Sequence, residues 1–141
     1  MVKNDKIYLQ LLQEMPEDKY RDYVPALNFA IVSKADNNYV GRCVLRVGHN
    51  KKTFFGGNIG YFVNEMYRGH RYAYYACLEL LEIAARKGLA YVLITCNPDN
   101  IASRRTCELL NGEFLGEFSL PDDSEMRLKG ELSKLIYRVN V

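Results

Sequence analysis

At Tyr67 the chain changes its period, and few folds accommodate such a change. Before it, Val40, Arg42, Val44 and Arg46 alternate with Gly41, Cys43, Leu45 and Val47, the two-residue repeat of a half-buried strand. The apolar run Ile59–Val63, "IGYFV", continues in the same style. Beyond Tyr72, the residues Ala73, Ala76, Cys77, Leu80 and Ala84 recur on one face of a helix, and Lys87-Gly88 supplies a basic last turn and a glycine stop. The run Tyr91–Cys96, "YVLITC", is then continuously apolar, as strands covered on both faces are. A strand, a helix and a buried strand in succession predict a parallel pairing of residues 59–64 with Tyr91–Cys96. Residues 72–87 would form its right-handed crossover.

The flanking segments fill in the sheet. Residues 6–12 read as a first strand, and residues 13–25 are polar and bracketed by Pro16 and Pro25, leaving room for one short helix at most. Ala26–Ser33 is rich in strand formers, residues 35–38 ("ADNN") signal a turn, and residues 39–47 return as the alternating strand. A polar loop, "GHNKKT", leads through Gly56-Gly57 to a strand over residues 58–64, completing an antiparallel meander. Asn100 offers a cap for a helix running from Ile101 to about Asn111, stopped by Gly112. "GEFLGEFSL" and "KLIYRVNV" close the chain as two strands around a polar loop over residues 121–129. The expected fold class is α+β, one domain over residues 1–141 with a central, mixed, mostly antiparallel sheet flanked by helices.

Length and charge narrow the function. The chain's 141 residues suffice for one core, and 48% hydrophobic with 26% charged residues reads as a globular protein. A formal charge of +2 is small for phosphate neutralisation along a nucleic acid, so no nucleic-acid partner is expected. No apolar run reaches spanning length and "MVKNDKIYLQ" lacks a leader's apolar core, so the expectation is a cytoplasmic protein without a membrane partner. Cys43, Cys77, Cys96 and Cys107 are scattered, with only His49 and His70 to supplement them, so no metal is expected and the thiols read as reduced packing residues.

The turn between strand and helix, "MYRGHRYAYYA", is the segment with chemistry in it. The first backbone N–H groups of a helix lack intrahelical partners and its dipole favours an anion there. Gly69 opens the approach for a phosphate, and Arg68, His70 and Arg71 surround it with positive charge. A solvated basic cap is the plainer alternative. The phosphate-loop motif with lysine, the dinucleotide glycine fingerprint and the kinase set are all missing.

Residues 68–73, "RGHRYA", resemble the acetyl-CoA pyrophosphate loop of the GNAT family of N-acetyltransferases, Arg/Gln-x-x-Gly-x-Gly/Ala. Arg68 and Ala73 match its ends, and Arg71 stands where the family has glycine. If that glycine serves close approach, an outward arginine keeps the N–H donor and adds charge. If it serves a positive φ, arginine strains the turn; a residue entering a helix points to the first reading. "NPDNIASRRTCELLNGEF" is similar to the family's second cofactor segment, Asn-x-x-Ser/Ala followed by a helix, and "GGNIGYFVNEMYRG" and "VLITCNPDNIAS" look closest to a bacterial branch of predicted acetyltransferases.

The resemblance implies an acetyltransferase moving the acetyl group of acetyl-CoA, bound as co-substrate, to a primary amine of a small molecule or peptide. The amine would attack directly in a ternary complex. The implied cofactor residues are Tyr61, Phe62 and Val63 on the strand, Arg68, Gly69, His70, Arg71, Tyr72 and Ala73 on the turn, and Asn100 and Ser103 at the second helix. A backbone amide near Phe62 would polarise the thioester carbonyl. Where relatives place a carboxylate, spacing gives Asn58, which cannot act as a base, with Glu65 nearby past the strand end. Where they place a thiolate-protonating tyrosine, this chain has Cys107, which reads more readily as a buried small residue; Ser103 is a second donor or simply a cofactor contact. The catalytic candidates are therefore Asn58, Ser103 and Cys107. Acidic residues Glu14, Glu17, Asp18 and Asp22 stand where an acceptor site would form, and read as a charged surface as well. A non-catalytic acyl-CoA-binding module is the alternative reading, and a homodimer is left open.

Overall fold

The computed structural model describes residues 4–141; the first three residues, part of the stretch read above for a leader, lie outside it. The meander is present as β1 (Ile7–Met15), β2 (Ala26–Ser33), β3 (Tyr39–Arg46) and β4 (Ile59–Val63). The helix α2 (Tyr72–Arg86) crosses to β5 (Tyr91–Cys96), and α3 (Ile101–Leu109) leads to β6 (Glu113–Ser119) and β7 (Ser133–Asn140). Seven strands make one sheet in the order β1-β2-β3-β4-β5-β7-β6, and β4–β5 is its parallel contact.

One sheet face is sealed by α2 and α3. Ala76, Cys77, Leu80 and Ala84 of α2, all fully buried, pack on Ile7, Ile31, Val40, Leu45 and Ile94. Small residues on the helix stripe let it lie close to the sheet, and each buried Leu or Ile contributes about 1.5–3 kcal/mol. Cys107 joins this core from α3. The four thiols are free and buried.

Three segments differ from the sequence expectation. The polar loop before Gly56 contains α1 (Lys51–Gly56), set by a capping box in which Asn50 and Thr53 each accept from the other's backbone N–H. Residues 13–25 form no helix. Instead β1 runs on to Met15, and a bridge between Asp18 and Tyr23 closes a turn whose N–H groups at Tyr20 and Arg21 are taken by the Asp18 carboxylate. The loop over residues 121–129 carries one helical turn, α4 (Glu125–Leu128), capped by Ser124.

Candidate active site

Among the described residues the sheet opens between β4 and β5. β4 and β5 share one register pair, Ile59 with Ile94, and then part. On the other edge of β4, Asn64 N–H bonds Val40 O and Arg46 N–H bonds Asn58 O, so the even-numbered residues of β4 face β3. The backbone groups of Phe62 are thus spent on β3, and those of Tyr61 and Val63 face the gap. The Val63 carbonyl accepts Arg68 Nε at 3.0 Å, which leaves the Tyr61 and Val63 N–H groups as donors in the opening. The sequence reading centred this donor on Phe62; the register moves it one residue to either side.

Asn58 fastens the closed end of the gap. Its side chain is fully buried and donates to Arg46 O and Gly48 O at 3.0 and 2.7 Å, while its Oδ1 accepts Leu93 N–H at 2.8 Å. Both amide protons and the oxygen are bonded to backbone and the side chain is sealed from the cavity, so Asn58 has nothing to offer a substrate; the catalytic assignment made from spacing gives way to a structural one.

Beside the gap lies a cavity of about 1010 Å³ between the N-termini of α2 and α3. Of the residues named from sequence, Tyr61, Phe62, Val63, Arg68 and Gly69 line it, as do Arg71, Tyr72, Ala73, Asn100 and Ser103. His70 does not. Its side of the turn borders a separate cavity of about 350 Å³ with Lys6 and Lys34. Helical bonding in α2 begins with Tyr75 N–H to Arg71 O, so the N–H groups of Tyr72, Ala73 and Tyr74 remain open to an anion. A side chain at Gly69 (φ 94°) would meet nothing within 4 Å, so the glycine is there for its backbone conformation and leaves the approach free.

Arg71 overturns the sequence expectation for its backbone. It caps α2 at φ 61°, ψ 26°, in the left-handed region, so the glycine usual at this place serves conformation and the arginine carries strain. The N-cap of a helix is outside its regular φ/ψ, which is why the argument from helix entry fails there.

α3 is capped as the spacing predicts, Asn100 Oδ1 accepting Ser103 N–H at 3.1 Å. This turns the Ser103 hydroxyl inward, where it meets the Tyr61 hydroxyl at 2.6 Å. Burial, chiefly, holds the Tyr61 phenol well above the usual tyrosine range, so it keeps its proton at neutral pH. Cys107 is fully buried among apolar residues, does not line the cavity, and burial pushes its thiol up to about 12. The structure thus brings Tyr61 and Ser103 together and sets Cys107 behind the wall. The sequence reading missed this hydroxyl pair and also Arg105, which lines the cavity from α3; the "SRRT" run one turn past a cap was the available signal.

Residues 6–111 match a family model described as an acetyltransferase (GNAT) domain. The chain belongs to the GNAT acetyltransferase family. Solved structures agree in fold. A GNAT-family acetyltransferase from Bacillus anthracis superposes with a TM-score of 0.64 at 22% identity, over 80% of this chain and 65% of that one. The microcin C7 self-immunity acetyltransferase MccE, solved with acetyl-CoA and AMP, gives 0.65 at 21%, over 82% and 61%. An acetyltransferase from Salmonella typhimurium described as modifying the N-terminal serine of ribosomal protein L7/L12 gives 0.62 at 19%, over 86% and 66%. This GNAT chain spans just under two thirds of their lengths. No curated protein matches it. Among the described residues no helix is long and apolar enough to cross a membrane, and no group of His, Cys, Asp or Glu is clustered for a metal.

Proposed function

We propose that this GNAT chain transfers the acetyl group of acetyl-CoA to a primary amine of a small molecule or peptide, by direct attack in a ternary complex. The observation that carries the reading is the parting of β4 from β5 beside a cavity walled by open helix N–H groups and arginines. A thioester arm laid in the gap would find the Tyr61 and Val63 N–H groups, and a pyrophosphate would find the N-terminus of α2 with Arg68 and Arg71. Arg105 would add charge from the facing helix.

Transfer forms a carbon–nitrogen bond and breaks a carbon–sulfur bond. β2 to β5 contain no Asp or Glu to take the amine's surplus proton, which leaves to water or to Glu108, the acidic residue lining the cavity. The departing sulfur takes a proton through the Tyr61–Ser103 hydroxyl pair, which solvent replenishes. Tyr61 would replace, from β4, the tyrosine that the resemblance places on α3. The missing carboxylate also favours a second reading, a module that binds acyl-CoA without turnover. Calorimetric titration with CoA followed by thiol release against a panel of amines decides between them. Binding with release supports transfer; binding without release from any amine supports the module; no binding removes both. Within the transfer reading, Tyr61→Phe is expected to lower kcat by about 10²-fold with CoA affinity nearly unchanged, while Cys107→Ala stays within a few-fold of wild type.

A further inference from the structure

The sheet face opposite the cavity carries charge that the cofactor leaves unused. The register pairs Arg42 with Phe62 and Val44 with Gly60, and Arg46 N–H bonds Asn58 O just beyond, so Arg42, Arg46, Gly60 and Phe62 share that face. Arg46 reaches over Gly60: a Cβ there would lie 3.6 Å from its Nη1 and 4.0 Å from its Nη2. Nη1 is held by the carbonyls of Gly57 (3.0 Å) and Gly56 (3.5 Å) at the end of α1. Among the described residues Nε and Nη2 have no protein acceptor, yet neither is sealed away from solvent. The ion pairs of the described residues are Arg21–Asp18, Arg127–Asp122 and Lys134–Glu131, so neither Arg42 nor Arg46 has a carboxylate partner.

The location gives this guanidinium its meaning. Gly60 lies between Ile59, the last residue of β4 paired with β5, and Tyr61, the first to face the gap. The Tyr61 side chain turns to the α3 face, so the Arg46 fork lies on the opposite face, over the point where β4 and β5 part, with Phe62, 58% exposed, two residues along. β2 to β5 offer no carboxylate to a cationic amine. Of the acidic residues between β1 and β2, Asp18 is spent on its own turn and on Arg21, and none of the described ones is ion-paired with Arg46.

We propose that the acceptor is an amine bearing an oxyanion, carboxylate or phosphate, a short reach from its nitrogen. Arg46 binds that oxyanion over the point where the two strands part and Arg42 assists it. A planar guanidinium with two donors free matches such a group in a bidentate pair, and an anion held over Gly60 sets the amine beside the thioester position. This rests on the acetyltransfer reading above.

The test compares matched acceptors on the intact protein with acetyl-CoA: α-amino acids against their carboxamides, phosphoethanolamine against ethanolamine, and putrescine as a dication. Anionic acceptors are expected to exceed their neutral partners by at least tenfold in kcat/KM, with the two pairs separating carboxylate from phosphate. Arg46→Gln should erase that preference through KM, leave CoA affinity unchanged, and be partly rescued by Arg46→Lys. Arg42→Gln, at an exposed position, gives a smaller loss in the same direction should Arg46→Gln not fold. Equal or better use of neutral amines or putrescine, or a preference that survives Arg46→Gln, overturns the proposal. If no amine turns over, calorimetry of the CoA-loaded protein with each anionic amine decides: binding abolished by Arg46→Gln sustains the site, and no binding overturns it. Failure to bind acetyl-CoA at all instead defeats the transfer reading itself.

Discussion

Replacing Asn58 with alanine separates a structural fastening from a catalytic group. The amide is fully buried and makes three hydrogen bonds of 2.7–3.0 Å to backbone on both sides of β4. Truncation leaves the Leu93 N–H without an acceptor in a buried strand, which costs about 1–3 kcal/mol. The Arg46 and Gly48 carbonyls lose their shared donor, which costs about 1 kcal/mol, and the void left by the amide adds about 1 kcal/mol. The sum is about 3–5 kcal/mol, a large share of the ~5–15 kcal/mol a domain possesses. At about 3 °C per kcal/mol for this length, Tm should fall by roughly 10–15 °C. Urea unfolding followed by circular dichroism measures the loss, and thiol release per folded molecule measures turnover. A loss under about 1 kcal/mol together with a ~10²-fold fall in kcat would refute the structural assignment. Asn58→Asp adds a pH signature. A carboxyl facing two carbonyl oxygens is held protonated in the fold, so its pKa is raised, and the variant should lose stability as pH rises above about 4.

Further outcomes follow from other positions. Arg71→Gly relieves a left-handed arginine worth about 1–2 kcal/mol and returns part of that as unfolded-chain entropy; denaturation should show a net gain of about 0.5–1 kcal/mol, while CoA binding weakens by about tenfold. Gly41→Ala places a Cβ 2.1 Å from the Phe62 carbonyl oxygen, so urea unfolding should register a loss of about 3 kcal/mol or more as β3 and β4 are pushed apart. His49 stacks on Tyr91 at 4.2 Å, and burial with the nearby Arg138 charge lowers its pKa. Its unfolded form binds a proton first, so its contribution is present above about pH 6.5 and is lost as pH falls; His49→Phe should flatten that limb in a pH series of unfolding midpoints. Glu131, held low mainly by its hydrogen bond to Lys134, adds a second loss below about pH 4.5 that Glu131→Gln should remove.

Legibility followed the strength of the local signal. Ala26–Ser33 and Tyr91–Cys96 emerge with the ends read from sequence, because dense apolar runs meet turn residues at each side. The Asn100 cap is legible for the same reason: one side chain and one N–H decide it. α1 was not, since Lys51–Gly56 is too short to show a period and its box uses Thr53 where a glutamate is usual. β1 continues through polar residues to Met15 because an edge strand needs a partner's hydrogen bonds more than a buried face. At the site, chain order gave the turn and the second helix. Which backbone groups of β4 face the gap depends on register with β3, and the meeting of Tyr61 with Ser103 depends on packing; neither is a property of spacing.

The burial of all four thiols bears on how this molecule can be followed in solution. Cys43 and Cys107 are pushed up to about 12 by burial, Cys96 is raised, and Cys77 lies well above the ordinary thiol range. Attack on a disulfide reagent requires thiolate and access, and the native chain offers little of either. A colorimetric thiol reagent added during turnover therefore reads free CoA against a silent protein background. The same reagent without acetyl-CoA becomes a counter of opening events, because each chain that unfolds uncovers four reactive sulfurs at once.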